Sequence, residues 1–183
     1  DMREVALPHR EAISGLIQAV GAGHIDIFVF LTGVGAQALL AEADALGQRE
    51  HLLAALRRST VVCRGPKPLT VLRNHGVPVA LVAPEPHTSQ DLLRAIQEAR
   101  WDLRGKRVAL QHYGEDNSYL REGLERMGAK VLDVILYQWA LPENVEPLKE
   151  AIQALLQGRA EAVAFTSQPQ VRNLFIVAES LGL

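Results

Sequence analysis

The residues that could do chemistry in this chain are mostly small. Thr32-Gly33-Val34-Gly35, Gly65-Pro66-Lys67, Thr88-Ser89, Tyr113-Gly114 and Thr166-Ser167-Gln168 each follow an apolar run that reads as a strand, and Tyr137 closes another, Val134-Ile135-Leu136. Hydroxyls and glycines at the carboxyl ends of strands suit a ligand with many carboxylates, held by main-chain N–H groups and helix dipoles. They suit metals poorly. Plainer readings stand beside this one. Thr32 and Ser167 are residue types that cap helices. A tyrosine at a strand end can simply pack its ring. Arg64 and Lys67 can be solvated, and His112 can be a polar strand end. Trp101 and Trp139 read as packing residues, and Glu115 and Asp116 would repel an anion.

Other chemistries lack their patterns. The histidines at 9, 24, 51, 75, 87 and 112 show neither His-x-x-x-His nor His-Glu-x-x-His spacing, so a zinc site is not expected. There is no phosphate-binding Gly-x-x-x-x-Gly-Lys-Ser/Thr loop and no Gly-x-Ser-x-Gly elbow, and Gly33-Val34-Gly35 lacks the third glycine of a dinucleotide fingerprint. An enzyme with this sequence would work without a metal, a nucleotide or a covalent nucleophile.

The elements that must position these residues alternate. The run at 27–31 has no alternation and reads as a strand buried on both faces, and 60–63, 77–82, 107–111 and 131–136 read as further strands. Helices are expected over 11–22, 36–46, 50–58, 69–75, 91–99 and 118–127, with Thr88-Ser89-Gln90-Asp91 as a capping box that opens the fifth. Gly65-Pro66-Lys67-Pro68 reads as a turn and 3–7 as a short extended segment closed by Pro8. Repeated βα units of this length demand a parallel sheet covered on both faces. After the extended segment 137–142 a new unit begins, with a helix over 146–157, a strand over 162–165 and a helix over 170–180.

That second unit aligns with the first without a gap. Ile17-Gln18-Ala19 falls on Ile152-Gln153-Ala154, Gly23 on Gly158, Asp26 on Glu161, Phe30 on Phe165, Thr32 on Ser167 and Leu39 on Leu174. Any two αβα units share some of this grammar, and two domains of one fold facing a shared cleft would share all of it. The chain opens in a strand and stops at a helix end, so a piece of a longer protein is expected. With 183 residues, 48% apolar, 22% charged and a net charge of −2, it reads as globular, with no basic field for nucleic acid. No run is long enough to span a bilayer, no signal peptide is visible, and the lone Cys63 fits a reducing, cytoplasmic setting.

Together, Phe28-Val29-Phe30-Leu31-Thr32-Gly33-Val34-Gly35, Gly65-Pro66-Lys67, Thr88-Ser89-Gln90-Asp91, Gln111-His112-Tyr113-Gly114, Val131–Tyr137 and Phe165-Thr166-Ser167-Gln168 resemble uroporphyrinogen-III synthase over nearly the whole chain. The resemblance implies two similar parallel-sheet α/β domains joined by a two-stranded linker. By that pattern 8–137 is a complete inserted domain, 1–7 and 138–142 are the linker strands, and 143–183 is part of the other, discontinuous domain. It also implies a reaction. The family takes hydroxymethylbilane, a linear tetrapyrrole polycarboxylate, removes its terminal hydroxyl as water, inverts the last pyrrole ring and closes the macrocycle, with no cofactor. Tyr137 matches the family's tyrosine at the strand end and becomes the expected catalytic residue. Thr166 and Ser167 match its threonine–serine turn. A monomer acting on a small molecule, away from membranes and nucleic acid, goes with this reading.

Two positions depart from the family pattern. Pro68 stands where a threonine is usual, and Gln138 where an arginine commonly follows the tyrosine. The Thr-Gly-Val-Gly and Gln-x-Tyr-Gly forms also resemble a subgroup fused to a winged-helix DNA-binding domain. A second reading is therefore a ligand-sensing regulator that binds without catalysing, its DNA-binding domain lying outside this chain. A generic two-domain solute-binding module is a third, against which the missing signal peptide speaks.

Overall fold

Runs of β-branched and aromatic residues with no polar alternation can only be satisfied by burial on both faces, and they form one sheet. The structure is a computed structural model, which describes residues 3–6, 10–22, 24–112 and 117–183. The element order is β1 (Arg3–Ala6), α1 (Arg10–Gly21), β2 (Ile27–Phe30), α2 (Gly33–Ala45), α3 (Arg49–Arg58), β3 (Thr60–Cys63), α4 (Pro66–Asn74), β4 (Leu81–Val82), α5 (Ser89–Glu98), β5 (Arg107–Gln111), α6 (Ser118–Arg126), β6 (Lys130–Val134), β7 (Tyr137–Ala140), α7 (Glu146–Leu156) and α8 (Gln168–Ser180). The five-stranded sheet has the order β4-β3-β2-β5-β6 and every pair in it is parallel. β1 and β7 form a separate two-stranded sheet.

The central strands β2 and β3 are covered on both faces, whereas the edge strand β6 is not, with Leu132 43% exposed, because no strand or helix among the described residues closes over that side chain. Ile27, Val29, Val62, Val108 and Leu110 point to one face and form a buried core with Leu92 and Ile96 of α5 and Leu120 and Leu124 of α6. Alternate residues point the other way. Phe28 and Phe30 stack with ring centroids 6.1 Å apart, and Val61 and Cys63 are fully buried. On that side α2 contacts β2, while α3 and α4 contact β3. At the amino-terminal edge, Asp26 accepts the N–H of Arg107 at 2.8 Å and pairs with Lys106 at 3.1 Å, joining the starts of β2 and β5.

By their internal contacts the residues fall into two units, Ala6–Gln138 and a smaller one of Asp1–Val5 with Trp139–Leu183. The larger holds the five-stranded sheet. In the smaller, α7 packs on α8, and a largely apolar cavity of about 550 Å³ is lined by Leu148, Leu155, Phe165 and Leu174 among others.

Several boundaries differ from expectation for identifiable reasons. Gly33, Val34 and Gly35 belong to α2 instead of preceding it, and Pro66 and Pro68 sit in the first turn of α4, where a missing N–H costs no helical hydrogen bond. The expected strand over 77–82 is paired only at Leu81–Val82, because Pro78 has no N–H to give the ladder and the first bond to β3, Ala80 N to Val61 O, comes after it. The last strand of the sheet starts at Lys130 and ends at Val134, before Ile135 and Leu136. Residues 162–165, expected as a strand, are not one. None of the described residues pairs with them, and Val163 and Phe165 are over two-fifths exposed. The expected ends of the first strand at Leu7 and Pro8, and the stop at Gly23, lie outside the described residues.

The capping box forms as expected. Thr88 Oγ1 accepts the N–H of Asp91 at 3.1 Å, and Asp91 takes the Thr88 N–H at 3.0 Å and its hydroxyl at 2.6 Å. The Thr88 hydroxyl and N–H hold the Asp91 carboxyl below its ordinary range, with nearby Arg94 adding to them and burial opposing. A depressed carboxylate stabilises the fold above its unfolded pKa and loses that contribution as pH falls through the folded one. Two outcomes are expected in thermal melts. Thr88→Ala costs about 1 kcal/mol at neutral pH. The gap between wild type and Asp91→Asn is widest near pH 7 and closes below the ordinary carboxylate pKa of about 4; a gap independent of pH would refute the assignment.

Candidate active site

A parallel sheet brings the carboxyl ends of all its strands to one edge. Across that edge stand Thr88 and Ser89 beyond β4, Gly65–Lys67 after β3, Thr32–Gly35 after β2, Gln111 and His112 at the end of β5, and Tyr137 beyond β6. From β2 the chain builds outward to β3 and β4 on one side and then to β5 and β6 on the other. The reversal of direction lies between β2 and β5, the place where open α/β sheets hold their ligands.

Thr32 stands at that place. Its backbone is extended, and its Oγ1 accepts the N–H of Gly35 at 3.0 Å, capping α2. The same oxygen lies 3.0 Å from the hydroxyl of Tyr137, a residue 1% exposed. The capping reading of Thr32 and the packing reading of Tyr137 are therefore both true, and each is incomplete. The tyrosine ring is buried and its polar tip is held. Ala36 N–H is bound to the Thr32 carbonyl, so Gly33 and Val34 carry the first-turn donors not taken by Thr32. Gly35 also has a packing duty. A Cβ there would overlap the side-chain amide of Gln111, which is 2% exposed and accepts the Thr32 N–H at 3.3 Å through Oε1.

Beyond β5 the rim is polar and buried. His112 is fully buried, and its Nδ1 accepts the N–H of Asn117, so Nε2 carries the proton and donates to Asp133 at 2.6 Å. Arg121 holds the other oxygen of Asp133. Asn117 caps α6 by accepting Leu120 N–H at 3.1 Å, and its Nδ2 donates to Ser89 Oγ at 2.7 Å. That bond ties the start of α5 to the start of α6 across the edge. Gln111 enters the sequence reading only within the segment Gln111-His112-Tyr113-Gly114 that carries the resemblance, and Asn117 and Asp133 have no role there; the available signal is the polar pair Gln111-His112 closing the apolar run 108–110.

On the β3 side, Gly33 meets the Lys67 backbone closely, 3.2 Å from where a Cβ would sit, so the first turns of α2 and α4 abut. A cavity of about 420 Å³ between these helices is lined by Gly33, Val34, Gln37, Lys67, Thr70, Val71 and Asn74. A Cβ on Gly65 would meet the His87 side chain at 3.4 Å, Pro66 and Lys67 are exposed, and Pro68 is buried. Cys63 is buried beside this turn, and burial pushes its thiol up to about 12, so it is not a nucleophile. Tyr113 and Gly114 lie outside the described residues. Among the described residues no group of three or more His, Cys, Asp or Glu could hold a metal ion, and no helix is long and apolar enough to cross a membrane.

Thr166, Ser167 and Gln168 belong to the smaller unit, where Ser167 precedes α8 and Gln168 is its first residue. Ser167 has nearly the backbone of Thr32, with φ and ψ of −156° and 152° against −140° and 151°. The aligned repeat thus extends to the cap conformation. It fails at the side chain: Ser167 makes no capping bond, and its Oγ is buried without a hydrogen-bond partner. Thr166 instead gives its N–H to Gln170 Oε1 at 2.9 Å.

The family described as HEM4, Uroporphyrinogen-III synthase HemD, matches residues 2–182. Uncharacterized protein YjjA of Bacillus subtilis (strain 168) is 35% identical over 157 residues, which cover 86% of this chain and 57% of that protein. Among solved structures, a mutant uroporphyrinogen III synthase from Thermus thermophilus superposes with a TM-score of 0.74 at 30% identity, covering 95% of this chain and 64% of that one. The wild-type enzyme in another crystal form gives 0.67 at 32% identity, with 94% and 62% covered. The chain thus spans under two thirds of the length of these relatives.

The two caps predict different costs. Thr32→Ala should lower stability by about 1 kcal/mol or more, because a cap and a cross-strand bond go together. Ser167→Ala should be neutral or slightly stabilising, because it removes a buried hydroxyl with no partner. Thermal melts of the two variants decide this; equal losses would refute the difference in capping.

Proposed function

The chain belongs to the uroporphyrinogen-III synthase family, and from that premise we propose that it catalyses the family's reaction, closing hydroxymethylbilane with inversion of the terminal pyrrole and loss of water. The observation that carries the proposal is the hydroxyl pair of Tyr137 and Thr32, 3.0 Å apart at the carboxyl edge of the sheet. The pyrrole electrons make and break the carbon bonds, so the protein's tasks are to fold the linear substrate, hold its carboxylates and assist the departing hydroxyl. Tyr137 gives that hydroxyl its proton. A Thr32 hydroxyl donating to the phenol oxygen stabilises the phenolate that results, and the buried setting makes that hydrogen bond count for more than it would in water. The water that leaves carries the proton, and deprotonation of the closing ring later restores the phenol.

Carboxylates are received along the same edge. Gly33 and Val34 offer main-chain N–H groups at the start of α2, Gly65, Pro66 and Lys67 a cation and an open turn, and Thr88 and Ser89 hydroxyls. On this reading Tyr113 and Gly114, and separately Thr166, Ser167 and Gln168 of the smaller unit, also bind substrate, with 8–137 as the inserted domain and 143–183 as part of the discontinuous one. A cytoplasmic monomer working without a cofactor goes with it. Pro68 supplies no hydroxyl from the first turn of α4, so binding there rests on Lys67 and the main chain.

The test uses the full-length protein and freshly made hydroxymethylbilane, with the oxidised products separated by isomer. Type III in excess over the spontaneous type I is expected, and Tyr137→Phe should slow its formation on the order of a hundredfold while the protein stays folded. Unchanged turnover would remove Tyr137 from the mechanism. Type I alone from folded protein would favour the ligand-sensing reading.

A further inference from the structure

We infer that Gln111 is a positioning residue for Tyr137, acting through Thr32. The inference rests on the role given to Tyr137 above. Phe30 and Gln111 are the last paired residues of β2 and β5, and beyond them the backbone ladder between these strands stops. The side-chain amide of Gln111 adds one more rung. Its Oε1 accepts the Thr32 N–H, and its Nε2 donates to the carbonyl of His112. The rung therefore fixes the backbone of the residue whose hydroxyl meets the phenol of Tyr137.

An apolar residue would fill the same space without the need to satisfy two buried polar groups. The surrounding sequence is arranged to admit the amide instead. Gly35, on the facing turn of α2, is the position where any side chain would overlap it. Gly35 also donates to the Thr32 hydroxyl, so this one turn makes room for the amide and orients the group the amide serves. Gln111 touches neither proton donor nor substrate in this scheme. Its loss leaves Tyr137 present but the Thr32 hydroxyl free to wander, and misplacement of this kind lowers turnover more than binding.

The full-length protein is assayed with hydroxymethylbilane as wild type, Tyr137→Phe, Gln111→Leu and the double variant, with Gln111→Met and Gly35→Ala reaching the same contact by gentler and opposite routes. Thermal melts establish folding. Loss of kcat on the order of tenfold, with KM within about twofold, is expected for Gln111→Leu, Gln111→Met and Gly35→Ala. In the Tyr137→Phe background the Gln111 substitutions should have no further effect, because there is no phenol left to position. A kcat loss of the same size in that background, or none in wild type, overturns the positioning role and leaves the reading of Tyr137 standing. A silent Tyr137→Phe sinks both, and is told apart by that single variant.

Discussion

The hydroxyl of Thr32 serves two structures at once. It caps α2 through the N–H of Gly35, and it meets the hydroxyl of Tyr137, which follows β6, two strands away. A hydroxyl has one proton and two lone pairs, so both contacts are satisfied only when Thr32 keeps one rotamer. The start of a helix next to the central strand and the polar tip of a buried ring are thereby locked to a common atom. This is a strong constraint for a small side chain. It holds the polar tip of the buried ring in one orientation at the edge of the sheet.

The rest of the edge follows from the need to bury polar side chains only in satisfied form. His112 is fully enclosed, yet each ring nitrogen has a partner, and the Asn117 N–H on Nδ1 settles which nitrogen carries the proton. Asp133 is held by His112 on one oxygen and Arg121 on the other, and Asn117 passes the connection to Ser89. A half-satisfied network of this kind would be worse than an apolar one. These bonds join the ends of β5 and β6 to the starts of α5 and α6.

Much of this was legible in the sequence, because the physical signals were local. The unalternating run at 27–30 declares burial on both faces, and Thr88 with Asp91 declares a cap. What was not legible depends on a partner far along the chain. Gly33 and Gly35 look like a loop because glycine is a poor helix former; within the helix, Gly35 leaves the space that the Gln111 amide occupies, and Gly33 packs tightly on the Lys67 backbone. Gln111 itself carries no periodic signal, and its role appears only once Gly35 is seen opposite. Residues 162–165 have strand composition, but a strand is a relation between two segments, and composition states only one side of it.

The internal repeat shows where such reading reaches its limit. Thr32 and Ser167 align, both precede a helix, and both hold an extended backbone. Pattern and propensity act at that level, and there the two units agree. The side chains diverge because a cap bond is decided by the first helical turn that receives it. In α2 that turn contains glycines which bring the N–H of Gly35 onto the threonine oxygen. In α8 it begins Gln168-Pro169-Gln170, where Pro169 offers no N–H and the side chain of Gln170 accepts the N–H of Thr166. Positions that align in sequence and backbone therefore need not make the same side-chain bonds. Of the aligned hydroxyls, the one at 32 is bonded into its surroundings, whereas the one at 167 is buried without a partner.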